Sequence, residues 1–237
     1  MKQDKRPVIV VTGTSRGLGF DIAQYFLAKD CIVVGCSRGA GGISHVNYHH
    51  HSLDLCSEKS VQAWVRLLKR QFSRIEVVIC NVGLVRLGSL TASTSLDSFA
   101  SFMDSILVST FLVCREFSKP MVMQKYGRII NITSIMSELN AQGTCGYATA
   151  KKAVVAFSKI LAAELVEYGV TCNVVSPSLI DTQSSRAFGD AWRKKMLDLQ
   201  SIKRDVSADE ICRIIEFLAS PKSGCLTGQV LHTCFID

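Results

Sequence analysis

Val8-Ile9-Val10-Val11-Thr12-Gly13-Thr14-Ser15-Arg16-Gly17-Leu18-Gly19 is an apolar, β-branched run that breaks into a glycine-rich turn. A run of apolar residues without polar alternation is the signature of a strand buried on both faces. The turn opens a helical pattern at residues 18–29. Glycines let such a turn tighten and bring backbone close to a pyrophosphate, and the helix N-terminus offers unpaired N–H groups and a partial positive charge. The spacing is Gly-x3-Gly-x-Gly rather than the commoner Gly-x-Gly-x2-Gly. Gly13, Ser15, Arg16, Gly17, Leu18 and Gly19 are therefore expected to hold the phosphates of a nucleotide.

The same alternation continues outward from this stretch. Strands are predicted at 8–12, 31–36, 50–53, 77–80, 128–133, 171–175 and 229–233, and helices at 18–29, 57–72, 96–119, 147–168 and 208–219. Strand-helix alternation implies a parallel sheet covered on both faces, so one Rossmann-type, doubly wound α/β domain is expected over residues 1–237. The interval after Arg38 is rich in Gly and His and is read as a crossover with little or no helix. Ser57 and Ser207, each followed closely by a glutamate, are predicted N-caps. Residues 83–95 and 184–205 are predicted mobile loops beside a ligand site. The second carries Phe188, Trp192, Met196 and Leu199 at helical spacing, and is expected to cover an apolar or extended substrate.

Composition excludes several classes. With 48% hydrophobic and 20% charged residues among 237, the chain is core-forming, not disordered. No uninterrupted stretch approaches the roughly 18–20 apolar residues of a membrane span, and the polar N-terminus reads as neither signal peptide nor anchor. A cytoplasmic protein without membrane contact is expected. Ten cysteines are scattered without Cys-x-x-Cys, which argues against zinc or a disulfide framework. The net charge of +7 could suit nucleic acid, an acidic carrier protein or a phosphorylated cofactor. Its densest basic runs, 66–74 and 193–195, lack interleaved aromatics, and no nucleic-acid partner is expected.

Where the second strand ends, an NAD site would place a carboxylate against the ribose 2′-hydroxyl. This chain has Ser37-Arg38 instead. A hydroxyl beside a planar guanidinium suits a 2′-phosphate, with Arg16 as a second cation, so NADPH/NADP+ is favoured over NADH. A third constellation is Ser134, Tyr147 and Lys151. Tyr147 and Lys151 are four apart and share a helix face. Ser134 ends a buried strand, and Tyr147 begins the next helix at the carboxyl edge of the sheet, where open α/β sheets bind ligands.

Together, 12–19, Asn81-Val82-Gly83, the Ser134/Tyr147/Lys151 spacing, Pro177-Ser178 with Thr182, and Thr227-Gly228-Gln229 resemble the short-chain dehydrogenase/reductase family, most closely its compact 3-oxoacyl-carrier-protein reductase-like members. The resemblance spans nearly the whole chain. It implies a seven-stranded sheet in the order 3-2-1-4-5-6-7 and an NADPH-dependent reduction of a ketone or 3-oxoacyl thioester. In that reading Tyr147 is the general acid, Lys151 lowers its pKa and binds the nicotinamide ribose, and Ser134 polarises the carbonyl. Asp54 and Leu55 match adenine-contacting positions, while Asn81, Val82 and Gly83 form the turn under the ribose. Pro177 and Ser178 flank the cofactor's path, and Ile180 and Thr182 meet the carboxamide. A homodimer or homotetramer joined through helices 96–119 and 147–168 is likewise implied.

Several positions depart from that pattern. The helical Asn that many members use to hold a water becomes Ile106, and neither Ser105 nor Ser109 faces the same way on an ideal helix. Pro-Gly becomes Pro177-Ser178, with an expected cost in backbone freedom, and the tail ends Cys234-Phe235-Ile236-Asp237 rather than in Gly-Gly. The new tail fits either a subunit contact or a cap on the substrate pocket. These departures support an alternative: an NADP-binding protein with lost or slow catalysis, acting as regulator or assembly subunit. His49, His50 and His51 alternate across a strand, so at most two converge, and no metal is expected.

Overall fold

The computed structural model describes residues 6–83, 90–180 and 189–235. Seven parallel strands form one sheet in the order β3-β2-β1-β4-β5-β6-β7. They are β1 (Val8–Thr12), β2 (Ile32–Ser37), β3 (Tyr48–Ser52), β4 (Val77–Cys80), β5 (Gly127–Ile132), β6 (Val170–Ser176) and β7 (Val230–His232). The helices are α1 (Gly17–Leu27), α2 (Glu58–Gln71), α3 (Leu96–Phe102), α4 (Ser109–Gln124), α5 (Cys145–Leu165), α6 (Asp190–Leu199) and α7 (Ala208–Ala219). The predicted sheet order is the observed one. No helix occupies residues 39–47, as the Gly- and His-rich interval implied.

Successive residues of each central strand feed opposite cores. Val8 and Val10 join Trp64 and Leu68 of α2, Phe117 of α4 and Leu161 of α5. Ile9 and Val11 join Ile22 and Phe26 of α1 and Ile211 and Ile215 of α7. Burial on both faces explains why these strands read as unbroken apolar runs. Ser57 and Ser207 cap α2 and α7 as predicted, and Ser207 forms a reciprocal capping box with Glu210.

Strand β3 begins at Tyr48 rather than residue 50, because Val33 already bonds the Asn47 carbonyl and sets the register Val33↔Tyr48. The predicted continuous helix at 96–119 is two helices, α3 and α4, joined by a π-turn at Met103–Val108. By length and composition Leu96–Gln124 could cross a membrane. In this fold its Ile106, Leu112, Val113, Cys114, Phe117 and Met121 are buried instead.

The order reverses between β1 and β4, so their carboxyl ends diverge and leave a crevice there. Two polar bridges fix its walls. The Thr12 hydroxyl accepts from the backbone N–H groups of Asn81 at 2.9 Å and Val82 at 3.2 Å, tying the end of β1 to the end of β4. Asn131, fully buried on β5, donates to Ser158 Oγ at 2.8 Å and so seats α5 on the sheet.

Candidate active site

A cavity of about 600 Å³ opens at that crevice. Gly13, Ser15, Arg16, Gly17 and Leu18 line one end, beside Ser37, Arg38, Asp54 and Leu55; Asn81, Val82 and Gly83 lie along its length. Ser134, Tyr147, Lys151, Pro177, Ser178 and Ile180 line the rest. Every proposed site residue that the structure describes reaches this cavity except Gly19. Thr182 lies outside the described residues, as does Phe188.

Gly19 serves from behind. A Cβ there would stand 2.3 Å from the Gly13 carbonyl oxygen and 2.6 Å from Asn81 Nδ2, so only glycine lets α1 start this close to the turn. Gly13 itself has φ +77°, a left-handed conformation that side chains resist. The N-cap of α1 is Arg16, whose side chain makes no capping bond. The first N–H groups of α1 are thus left for a ligand, unlike those of the serine-capped α2 and α7.

Ser134 leaves β5 in extended conformation, and its hydroxyl accepts from the Met136 backbone N–H at 3.3 Å. It lines the cavity together with Tyr147. Lys151, one turn further along α5 and only 4% exposed, donates to the Ile132 carbonyl at 2.8 Å. Its ammonium lies 5.9 Å from the centre of the Tyr147 ring. It also lies 3.3 Å from where a Cβ on Gly83 would stand, so the glycine of Asn81-Val82-Gly83 makes room for the amine.

The electrostatics correct one expectation. Lys151 was to acidify Tyr147, but burial pushes the phenol up, opposed by the Ser134 hydroxyl rather than by the amine. The ring borders the cavity, yet its surroundings are dense enough for desolvation to dominate. Burial also drives the Lys151 amine down from 10.5 to about 8.

Ser178 is fixed by the segment after β7. It stands in no left-handed conformation, and its N–H donates to Thr233 Oγ1 at 2.9 Å while its hydroxyl donates to the Thr233 carbonyl. The serine ties β6 to the segment after β7, at the position where a cost in backbone freedom was expected.

Part of the cavity wall is apolar. Met136, Leu139, Leu179, Trp192, Met196, Leu199 and Phe235 line it. Trp192, Met196 and Leu199 come from α6, as their helical spacing implied. Phe235 lines the cavity, as the pocket reading of the tail expected. Its neighbour Cys234 holds the tail in place, its carbonyl accepting from Ser201 N–H at 2.9 Å.

Sequence reasoning did not single out Gln200. Its buried amide accepts from Leu179 N–H at 3.1 Å and donates to the Ile202 and Arg204 carbonyls, which fastens the end of α6 to the exit of β6. Thr12 and Gln200 gave no sequence signal, because both act on backbone groups distant in the chain. Among the described residues no cluster of His, Cys, Asp or Glu suits a metal.

A family model described as enoyl-(acyl carrier protein) reductase matches residues 13–234. The 3-oxoacyl-[acyl-carrier-protein] reductases FabG of Salmonella typhimurium and Escherichia coli are each 29% identical over 231 residues, covering 95% of this chain and 94% of theirs. Among solved structures, ElxO with NADP bound superposes with a TM-score of 0.89 at 23% identity, covering 96% of both chains. The aldohexose dehydrogenase of Thermoplasma acidophilum superposes at 0.87 and 23% identity, over 96% of this chain and 92% of that one. The structural likenesses establish the fold.

Proposed function

The chain belongs to the short-chain dehydrogenase/reductase family, and from that premise we propose that it is an NADPH-dependent reductase of a ketone or 3-oxoacyl thioester. The observation that carries this reading is that Ser134, Tyr147 and Lys151 line one cavity together, with the Lys151 amine 5.9 Å from the centre of the Tyr147 ring. The cavity runs from a glycine turn to an apolar cover.

The dinucleotide fits the residues present. The close approach of Gly19 to Gly13 and the uncapped start of α1 suit a pyrophosphate, and Ser37, Arg38 and Arg16 line the end where a 2′-phosphate would lie. The NADP-bound relative and the reductase names of the curated relatives support the same assignment. When bound, the reduced nicotinamide supplies hydride to the substrate carbonyl carbon.

Everything else falls to the chain. The Ser134 hydroxyl donates a hydrogen bond to the carbonyl oxygen, and Tyr147 gives that oxygen its proton. A phenol whose pKa burial raises stays protonated at neutral pH, which is the form a proton donor needs. Lys151 remains mostly protonated below about 8 and places a positive charge beside the phenolate that Tyr147 becomes. Met136, Leu139 and the α6 side chains exclude water and favour an apolar substrate chain, whether free or carrier-bound.

The ten cysteines, all free thiols, fit a reducing compartment. We read the exposed apolar side chains Phe111 on α4 and Ile160 on α5 as part of the oligomer contact that the family resemblance implies.

The test is NADPH oxidation by purified protein over a panel of ketones and 3-oxoacyl thioesters. Turnover is expected, and Tyr147→Phe should lower it by about a hundredfold or more while leaving NADPH affinity nearly unchanged. Retained turnover would remove Tyr147 from the acid role. NADPH binding without turnover on any substrate would favour the second reading, slow or lost catalysis, which Ile106 supports by placing a fully buried hydrocarbon where relatives carry an amide.

A further inference from the structure

The three consecutive histidines of β3 divide across the sheet. His49 and His51 face the α2 side, with ring centroids 5.5 Å from Phe72 and 6.2 Å from Trp64. His50 faces the other way, toward the turn after β2. Its Nε2 lies 2.9 Å from the Gly39 carbonyl oxygen and 3.2 Å from Ser37 Oγ. Its Nδ1 lies 2.9 Å from the Tyr48 hydroxyl, which lies 2.7 Å from Thr14 Oγ1.

The directions of these bonds follow from what each atom can do. A carbonyl oxygen only accepts, so Nε2 carries the hydrogen. The Nδ1 of the neutral ring then accepts from Tyr48 O–H, and Tyr48 in turn accepts from Thr14 O–H. Ser37 O–H donates to the same Gly39 carbonyl at 2.8 Å. One chain of hydrogen bonds thus runs from Thr14 in the glycine turn, across β2, to the Ser37–Gly39 turn.

Two glycines leave the space for it. A Cβ on Gly35 would stand 2.2 Å from the Tyr48 hydroxyl oxygen and 2.5 Å from Thr14 Oγ1, and one on Gly41 would stand 2.6 Å from His50 Cγ. Arg38 is held from both sides, since Gly39 is bonded to His50 and the Arg38 carbonyl accepts from Ser52 Oγ at 2.9 Å.

We infer that His50 is a positioning residue for the 2′-phosphate of NADP(H): by fixing the Ser37–Gly39 turn it holds Arg38 at the cavity wall, and it makes the protein discriminate NADP(H) from NAD(H). The inference rests on the dinucleotide reading above. His50 does not itself line the cavity, so it acts through Ser37 and Arg38. A residue that merely supported the sheet would affect both dinucleotides alike, whereas His50 should affect only the one carrying the extra phosphate.

The experiment measures equilibrium binding of NADP+ and of NAD+ to the full chain and to His50→Ala, His50→Gln and Tyr48→Phe. Loss of hydrogen bonds of this kind predicts NADP+ affinity about three- to tenfold weaker in His50→Ala, with NAD+ affinity within about twofold of wild type. His50→Gln, whose amide N–H can still reach the Gly39 carbonyl, should recover most of the discrimination. Tyr48→Phe removes only the bridging hydroxyl and should lower the NADP+/NAD+ ratio by about twofold or more, which keeps the test open if His50→Ala fails to fold. An unchanged ratio in the variants that fold, or equal loss for both dinucleotides, overturns the inference. A wild-type protein that binds neither dinucleotide instead removes the reading on which it rests.

Discussion

Lys151→Met tests the burial of the site's amine. Lys151 is 4% exposed, and burial drives its amine from 10.5 down to about 8. A lysine with a folded pKa below its unfolded one carries its charge at a cost to the native state. The unfolded chain binds more protons between those two values, so stability rises with pH through that window, and below it the whole penalty stands. A fall of that size corresponds to about 3 kcal/mol. At about pH 9.5 the folded amine is neutral and the unfolded one has begun to lose its proton, leaving roughly half of that penalty. Methionine carries no such charge. The lost bond to the Ile132 carbonyl offsets about 1 kcal/mol, so Lys151→Met should be more stable than wild type by about 2 kcal/mol near neutral pH. Its advantage should shrink by about 2 kcal/mol by about pH 9.5. Urea denaturation followed by tryptophan fluorescence, run on both proteins across this range, reads the difference. Parallel stability curves would show that the ammonium is solvated in the folded protein and would refute the burial argument. The same variant should lose turnover, making Lys151 a residue held for chemistry against stability.

Gly19→Ala would put its Cβ 2.3 Å from the Gly13 carbonyl, and the resulting shift of fixed backbone should cost about 2–3 kcal/mol in a denaturation experiment; an unchanged midpoint would mean the turn has room to spare. Ile106→Asn places an amide among Phe102, Ala150 and Val154 and should cost about 3 kcal/mol. A large rise in kcat in that variant would favour slow catalysis in the natural chain, and an unchanged kcat would show that protons reach Tyr147 without an amide at this position. Phe235→Ala should raise KM for longer-chain substrates and leave small ketones unaffected. A KM series identical to wild type would place Phe235 beyond the substrate's reach.

What the sequence disclosed, and what it concealed, divides along the range of the interaction. The glycine turn, the seven strands, the serine caps and the i, i+4 pair of Tyr147 and Lys151 are local patterns, and each appears where its spacing implied, save that β3 starts two residues early. The direction of the Tyr147 shift was not legible, because a charge four residues away can be read from the chain, whereas desolvation depends on everything packed around the ring. The Thr12 and Gln200 bridges escaped for the same reason, and so did the one histidine of three that faces the Ser37 turn. Phe235 could be assigned to the pocket only once the bond from Ser201 to the Cys234 carbonyl fixed the path of the tail.

The π-turn shows how a single irregularity changes the meaning of an altered residue. On an ideal α-helix residues four apart drift around the axis by about 40° at each step, so Ser101, Ser105 and Ser109 would turn progressively away from one another. All three nevertheless line the cavity. The wider turn at Met103–Val108 takes up the drift, and it leaves Ile106 in the core against Phe102, Ala150 and Val154. Ser109 Oγ donates to the Ser105 carbonyl at 2.7 Å, so its hydrogen is committed while its lone pairs remain available. The wall beside Ile106 therefore presents hydroxyl oxygen to the cavity. For this reason the substitution at Ile106 does not by itself imply an inert site, and the kcat of Ile106→Asn bears on the route of the proton more directly than the absence of the amide does.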